Sequence, residues 1–234
     1  MNVIKDVFFD LDRTLWDFDR NSESALRIIF DDLKLENHAS SFQDFLNNYK
    51  QVNAKYWNDY GQGKIDKIQL RNGRFTDTLK IFNIDDEQLG QEMNDRYLEI
   101  SPYQTHLFPS TKEVLSELKE QNYRLHIITN GFKEVQFIKL KNSGILHFFD
   151  DVLCSEEVGK AKPHPSVFQG ALARTRAAAN HSIMIGDDFK ADVIGAENAG
   201  IRGVLFDPNK KYHTNTTIER VEHLKEIPPL ILGI

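Results

Sequence analysis

Residues 3–15 read VIKDVFFDLDRTL, a short apolar run that ends in two acids. Its Val, Ile and Phe residues predict a β-strand over Val3–Asp10, buried on both faces as in a parallel sheet. Because residues two apart in a strand point to the same side, Asp10 and Asp12 present their carboxylates together. Ligands of α/β proteins bind at the carboxyl ends of strands, so the stretch predicts an acidic site there. A solvated turn fits the same two acids; a calcium loop fits poorly, because Arg13 interrupts it and its glycine is missing.

Further apolar runs alternate with helical patterns along most of the chain. The alternation predicts an α/β fold, a Rossmann-like doubly wound parallel sheet. Glu113 three residues after Ser110 is a capping-box signature at the start of one helix. The predicted strands are 124–129, 150–154, 182–186 and 203–206; the predicted helices start at Ser110, at Val135 (ending near Gly144) and at Pro165, and span 191–199 and 217–225.

The stretch from Asp17 to Pro102 has no strand pattern. Its apolar and aromatic residues recur every three or four positions, which is typical of helices that pack together. We therefore expect a catalytic core made of residues 1–16 and 103–234, with a helical domain of residues 17–102 inserted after the first strand.

Composition restricts the class of function. With 29 Lys and Arg against 35 Asp and Glu, the formal charge is −6, so a broad electrostatic surface for a nucleic acid polymer is not expected. A single cysteine fits a reducing compartment. No apolar run is long enough to span a membrane, and the charged first strand is unlike a signal peptide, so we expect a cytoplasmic protein without a membrane partner.

A second acidic motif follows the run 182–186, in the sequence GDDFKAD from Gly186 to Asp192. It also places carboxylates at the end of a strand, and carboxylate oxygens suit Mg²⁺. Asp187 and Asp10 are therefore candidates to share one ion. Capping of the following helix explains one acid of this motif, but three acids less well.

Two more motifs supply groups that bind anions. Thr129-Asn130-Gly131 ends the strand 124–129 and offers a hydroxyl, an amide and backbone N–H groups, although an ordinary strand-to-helix turn has the same composition. Lys162 precedes Pro163, which favours an extended backbone and directs the ammonium group, although a lone lysine in such a loop is usually exposed.

The four motifs together form a set that can carry out phosphate chemistry. A phosphate dianion is repelled by Asp10 and Asp187 unless Mg²⁺ and Lys162 supply positive charge. Asp10 is placed to attack phosphorus and form an aspartyl-phosphate. Asp12 is placed to protonate the leaving oxygen and then activate water.

In this order, the motifs resemble those of the haloacid-dehalogenase-like superfamily. The resemblance implies that Asp10 is the nucleophile and a Mg²⁺ ligand, that Asp12 is the general acid/base and offers a backbone carbonyl to the metal, and that Asp187 is the third ligand. It implies phosphate binding by Thr129, Asn130, Gly131 and Lys162, with Asp192 and Asp188 outside the direct ligands. It also implies that the helical insertion is a cap that closes over the site.

Five stretches look like the pyrimidine 5′-nucleotidase subgroup: residues 52–61, 63–65 and 70–75 in the insertion, and residues 128–132 and 155–159 in the core. That resemblance implies a small phosphomonoester as partner, a pyrimidine nucleoside 5′-monophosphate. The candidate base contacts are the aromatic Trp16 and Trp57 and the polar Asn53 and Arg74, although packing of cap and core explains the same aromatics.

Alternative functions share parts of the pattern. A sugar-phosphate phosphatase or phosphomutase uses the same residues. A 2-haloacid dehalogenase uses the first aspartate without a metal and does not need an acid two residues later, so Asp12 and Asp187 favour the phosphatase. A non-catalytic binding module is disfavoured because every chemical position is filled.

Overall fold

A computed structural model describes residues 4–212 and 218–232 of the chain. The chain divides into two compact units, Met1–Phe18 with Thr105–Ile234, and Asp19–Gln104. These limits differ by two residues from the domain limits expected from the sequence.

The larger unit is built on a six-stranded parallel sheet in the order β3-β2-β1-β4-β5-β6. The predicted doubly wound α/β class is confirmed. All four residues of β1 are buried, which explains why residues 7–9 are apolar at successive positions rather than at alternate ones. The strands are β1 (Asp6–Phe9), β2 (Arg124–Thr129), β3 (Asp151–Cys154), β4 (Ser182–Gly186), β5 (Arg202–Phe206) and β6 (Arg220–Val221).

Helices connect the strands and form the smaller unit. A π-helical segment, Phe189–Ile194, leads directly into α8. The α-helices are α1 (Phe18–Asp32), α2 (Phe42–Gly61), α3 (Lys67–Ile81), α4 (Glu87–Ile100), α5 (Thr111–Glu120), α6 (Lys133–Asn142), α7 (Pro165–Thr175), α8 (Gly195–Glu197) and α9 (Ile227–Leu232).

The smaller unit is helical, and side-chain caps begin its helices α2, α3 and α4. Ser41 accepts a hydrogen bond from the backbone N–H of Asp44 at the start of α2, and Asp66 forms a full capping box with Gln69 at α3. The first half of α2 packs inward as expected, with Phe45 and Tyr49 in one buried apolar cluster, whereas Tyr56 and Trp57 further along the helix are partly exposed.

Three local predictions differ from the structure. Ser110 makes no capping hydrogen bond, because its backbone is left-handed (φ 67°), so the predicted capping box at α5 is wrong. The predicted helix over 217–225 is also wrong: β6 lies at 220–221, and α9 begins later and runs through two prolines, while Thr217 and Val3 lie outside the described residues. The helix predicted at 191–199 begins at Phe189. No helix in residues 4–212 or 218–232 is long and apolar enough to cross a membrane.

Candidate active site

The candidate site lies at the carboxyl ends of three adjacent strands. Asp10 follows β1, Thr129 is the last residue of β2, and Asp187 follows β4. These strands are neighbours in the order β2-β1-β4, so residues far apart in the sequence meet at one sheet edge. The fourth motif arrives on the segment between β3 and α7, which carries Lys162.

Lys162 is the link between two carboxylates. Its side chain is buried, and its Nζ donates to Asp10 Oδ1 at 2.7 Å, to Asp192 Oδ1 at 2.6 Å and to the carbonyl oxygen of Ile128 at 2.7 Å. An ammonium has three N–H donors, so all of them are used. In this geometry Lys162 holds the carboxylates in place; its predicted direct contact with phosphate stays a prediction.

Three carboxylates crowd this point. Asp10, Asp187 and Asp192 each place one oxygen within 4.8 Å of the others. Burial raises the pKa of Asp10 to about 7, with Lys162 opposing and Asp192 reinforcing the rise. Burial, followed by the charges of Asp10 and Asp192, raises the pKa of Asp187 to about 8. Three ionised carboxylates against one ammonium leave an excess of negative charge, which is the environment that a divalent cation with oxygen ligands requires.

The two remaining acids of the second motif have different roles. Asp192 is 1% exposed; it binds Lys162 through Oδ1 and accepts the backbone N–H of Asp188 through Oδ2 at 3.0 Å. Asp188 is exposed, and its Oδ1 caps the following helical segment by accepting the N–H groups of Lys190 and Ala191. Asp188 therefore serves local structure, while Asp192 belongs to the buried charged cluster.

In the Thr129-Asn130-Gly131 turn, the hydroxyl of Thr129 can donate a hydrogen bond and the side chain of Asn130 holds the backbone of Lys162. Thr129 Oγ1 accepts the N–H of Gly131 at 3.1 Å and the amide of Gln136 at 2.7 Å, so its own hydrogen is left to donate. The side chain of Asn130 makes two hydrogen bonds to the backbone of Lys162. Asn130 thus positions the lysine segment with its side chain, and its predicted role in phosphate binding stays a prediction.

Asp12 lies beside the cluster, and both of its oxygens are held. Lys139 Nζ is 2.6 Å from Oδ1, and Gln136 Nε2 is 2.9 Å from Oδ2. We did not predict either partner from the sequence. A usable signal was present, since the two polar residues are three apart on α6, directly after the Thr129 turn, and therefore lie on one face of the helix.

Three of the four predicted base-contacting residues are buried in the structure. In the helical unit, Asn53 and Arg74 are 6% and 4% exposed and bind each other through Arg74 Nη1 and Asn53 Oδ1 at 3.1 Å. Trp57 is partly exposed and contacts Tyr60 edge-on. Trp16, in the larger unit, is fully buried, so stacking on a base would require its ring to become exposed.

Comparison with known proteins agrees with this geometry. The model of the family described as haloacid dehalogenase-like hydrolase matches residues 7–206. The chain is a haloacid dehalogenase-like hydrolase. The family resemblance seen in the four motifs is confirmed.

Individual members of the family provide closer comparisons. Pyrimidine 5′-nucleotidase YjjG of Escherichia coli (strain K12) is 35% identical over 83% of this chain and 82% of that protein. A glyceraldehyde 3-phosphate phosphatase of Methanothermobacter thermautotrophicus is 38% identical over 51% of this chain and 58% of that protein. The crystal structure of the HAD-hydrolase YfnB of Bacillus subtilis, bound to magnesium, is 28% identical and covers all of both chains with a TM-score of 0.88.

Proposed function

We propose that this hydrolase is a Mg²⁺-dependent phosphatase that cleaves a small phosphomonoester through an aspartyl-phosphate on Asp10. The observation that carries the proposal is the group of three close carboxylates, Asp10, Asp187 and Asp192, two of which are buried and joined by Lys162. A group of this kind, without a function, would destabilise the fold through repulsion and desolvation.

Asp10 is the nucleophile in this proposal because one of its oxygens is held and the other remains available. Lys162 holds Oδ1 at 2.7 Å, whereas the contact of Oδ2 with the hydroxyl of Thr14 is long, at 3.5 Å. Oδ2 attacks phosphorus, the bond from phosphorus to the leaving oxygen breaks, and the phosphoryl group is transferred to Asp10. The hydroxyl of Thr129 donates to a phosphate oxygen and orients the group for attack.

The donor set fits a magnesium ion. Carboxylate oxygens of Asp10 and Asp187 and the backbone carbonyl of Asp12 would hold it. When bound, the ion offsets the negative charge of the carboxylates and of the phosphate. The magnesium-bound state of the YfnB structure supports this choice of metal.

Asp12 is the proton-transfer group. Its carboxyl gives a proton to the leaving oxygen as the ester bond breaks, and its carboxylate then takes a proton from the water that attacks the phosphorylated Asp10. The second step releases inorganic phosphate and restores both side chains.

A pyrimidine nucleoside 5′-monophosphate is the substrate that we propose. The support is the likeness to the nucleotidase YjjG across most of both chains. Trp16 and Trp57 are the aromatic candidates for contact with the base, and Asn53 and Arg74 are the polar candidates. A sugar phosphate is the second candidate, because the glyceraldehyde 3-phosphate phosphatase matches about half of the chain at 38% identity.

A substrate panel tests the proposal. Phosphate release is measured from UMP, dTMP, AMP and several sugar phosphates, with Mg²⁺ and with EDTA. We expect release that requires Mg²⁺, is fastest with the pyrimidine nucleotides and falls at least about 10³-fold in Asp10→Asn. Activity that survives EDTA contradicts the metal role, and sugar phosphates that match UMP and dTMP contradict the nucleotide assignment. Release of halide from a 2-haloacid, without phosphate release, would favour the dehalogenase alternative.

A further inference from the structure

A buried lysine outside the four motifs contacts the site. Lys139, on α6, is 4% exposed, yet it carries a charge. Its Nζ lies 2.6 Å from Asp12 Oδ1 and 4.2 Å from the centre of the Trp16 ring. Burial of an ammonium group costs free energy unless the group is paired, so the contacts with Asp12 and the Trp16 ring are what allow Lys139 to be buried.

Gln136 binds the second carboxylate oxygen of Asp12. It is fully buried, and its Nε2 donates to Asp12 Oδ2 at 2.9 Å and to Thr129 Oγ1 at 2.7 Å. One amide group therefore ties the proposed proton-transfer group to the proposed phosphate-binding hydroxyl. Together with Lys139, it uses both oxygens of Asp12 and so sets the plane of that carboxyl group.

The backbone is shaped to allow this arrangement. Gly131 lies against the side chain of Gln136, and a Cβ at position 131 would overlap that side chain. Gln136 and Lys139 are one helical turn apart on α6, which places both on the face that meets the sheet edge. The face of the Trp16 ring lies against the Lys139 ammonium and limits its movement.

We propose that Lys139, assisted by Gln136, is a positioning residue that aims the carboxyl group of Asp12 at the leaving oxygen of the substrate. This inference rests on the proposed phosphatase function. Lys139 gives up no proton in it: the proton moves from Asp12 to the leaving oxygen, and later from water to Asp12. Lys139 and Gln136 maintain the direction of the carboxyl group through both steps.

The dependence of the rate on the leaving group distinguishes positioning from general structural support. Nitrophenolate leaves without a proton, whereas the alkoxide of a nucleotide or of glycerol needs one. General acid catalysis contributes on the order of 10²–10⁴-fold where a proton is needed. If the carboxyl group of Asp12 is misdirected, the cleavage of alkyl phosphates therefore slows selectively. If phosphate binding or folded protein is lost, the cleavage of alkyl and of nitrophenyl phosphates slows equally.

The experiment measures kcat/KM for 4-nitrophenyl phosphate and for β-glycerophosphate with wild-type protein, Lys139→Met and Lys141→Met, in Mg²⁺. Lys141 is exposed on the same helix and serves as the matched control. kcat/KM reports the steps up to ester cleavage and not the later hydrolysis of the phosphorylated enzyme. The ratio of the two values within one preparation does not depend on the fraction of protein that is folded.

We expect Lys139→Met to lower kcat/KM about 100-fold for β-glycerophosphate and less than about tenfold for 4-nitrophenyl phosphate. Gln136→Met, a second variant with Lys139 intact, shifts the ratio in the same direction, and Lys141→Met leaves it unchanged. An unchanged ratio in Lys139→Met, whether both values fall or neither does, overturns the positioning role alone. Wild-type protein that releases phosphate neither from these two esters nor from UMP and the rest of the substrate panel overturns the proposed function, and this inference with it.

Discussion

The crowded carboxylates predict that metal-free protein loses stability as pH rises. The pKa of Asp10 moves from its ordinary 3.8 to about 7 on folding, and that of Asp187 to about 8. A carboxyl whose pKa is raised on folding binds its proton more tightly in the folded chain. It therefore stabilises the fold at low pH and loses that contribution as pH rises through the folded pKa.

The size of the effect follows from these values. Between about pH 6 and about pH 9, the free energy by which Asp10 stabilises the fold falls by the equivalent of roughly one pKa unit, and that of Asp187 by the equivalent of roughly two. At about 1.4 kcal/mol per unit, the free energy of unfolding falls by about 4 kcal/mol. Such a loss is a large part of the stability of an ordinary domain. Mg²⁺ removes most of it, because a bound cation favours the ionised carboxylates that the metal-free fold disfavours.

Urea unfolding between pH 6 and pH 9, with EDTA and with excess Mg²⁺, measures both effects. Asp187→Asn removes one titrating group and its repulsion of Asp10, so we expect it to lose no more than about a third as much stability as wild type. Asp188→Asn is the matched control: Asp188 is an adjacent but exposed acid, and asparagine preserves its helix cap, so the full loss should remain. Metal-free stability that is constant or rises over this range, or an Asp187→Asn variant with the full loss, would refute the reasoning.

Three further changes test other parts of the account. In Gly186→Ala the new Cβ would overlap the carboxylate of Asp192, so phosphatase activity should fall at least about 100-fold. The control is Gly170→Ala, in a helix with room for a methyl group: it should retain activity, and its free energy of unfolding in urea should rise by about 0.5–1 kcal/mol. Lys162→Met leaves two buried carboxylates without their cation, so activity should fall by more than about 10³-fold and Mg²⁺ should stabilise the variant more than wild type; normal turnover would contradict its role. Burial lowers the pKa of His126 below its ordinary 6.5, so in Mg²⁺ the protein should lose stability as pH falls below about 6.5. In urea titrations over the same pH range, His126→Asn should lose less stability than wild type. Equal losses would show that another group is responsible.

The sheet and its acidic edge were predictable from the sequence because strands that are buried on both faces consist mainly of apolar residues. The central strands are short and mostly apolar, and the polar residues Asp10, Thr129 and Asp187 at or just after their ends mark the carboxyl edge. Asp10, Thr129 and Asp187 were therefore placed on the right strands without coordinates. Lys162 needed the family resemblance, because a lysine in a loop is exposed in most proteins.

The residues that surround Asp12 were missed for the opposite reason. Periodicity on α6 predicts a buried face of Val135, Ile138 and Leu140, but the most buried positions include Gln136 and Lys139. A polar side chain buried by a specific partner has the sequence signature of an exposed one. Its burial depends on a contact with Asp12, more than 120 positions away, which local patterns do not encode.

Errors at the ends of helices have a similar cause. Ser110 and Glu113 have the spacing of a capping box, but the backbone of Ser110 is left-handed and its side chain makes no capping hydrogen bond. The hydroxyl of the next residue, Thr111, donates to the carbonyl oxygen of Leu15, 96 positions away, and local patterns do not encode a contact of that kind.

The formation of an aspartyl-phosphate on Asp10 is the central claim, and mass mapping of protein quenched during turnover tests it most directly. Wild-type protein is mixed with UMP and Mg²⁺, stopped in acid within milliseconds, digested and searched for a peptide that carries one added phosphoryl group. We expect the phosphoryl group on the peptide that contains Asp10, its absence from Asp10→Asn, and its accumulation in Asp12→Asn, where water is activated poorly. Turnover without a phosphorylated peptide in Asp12→Asn, or a phosphoryl group on another residue, would contradict this claim.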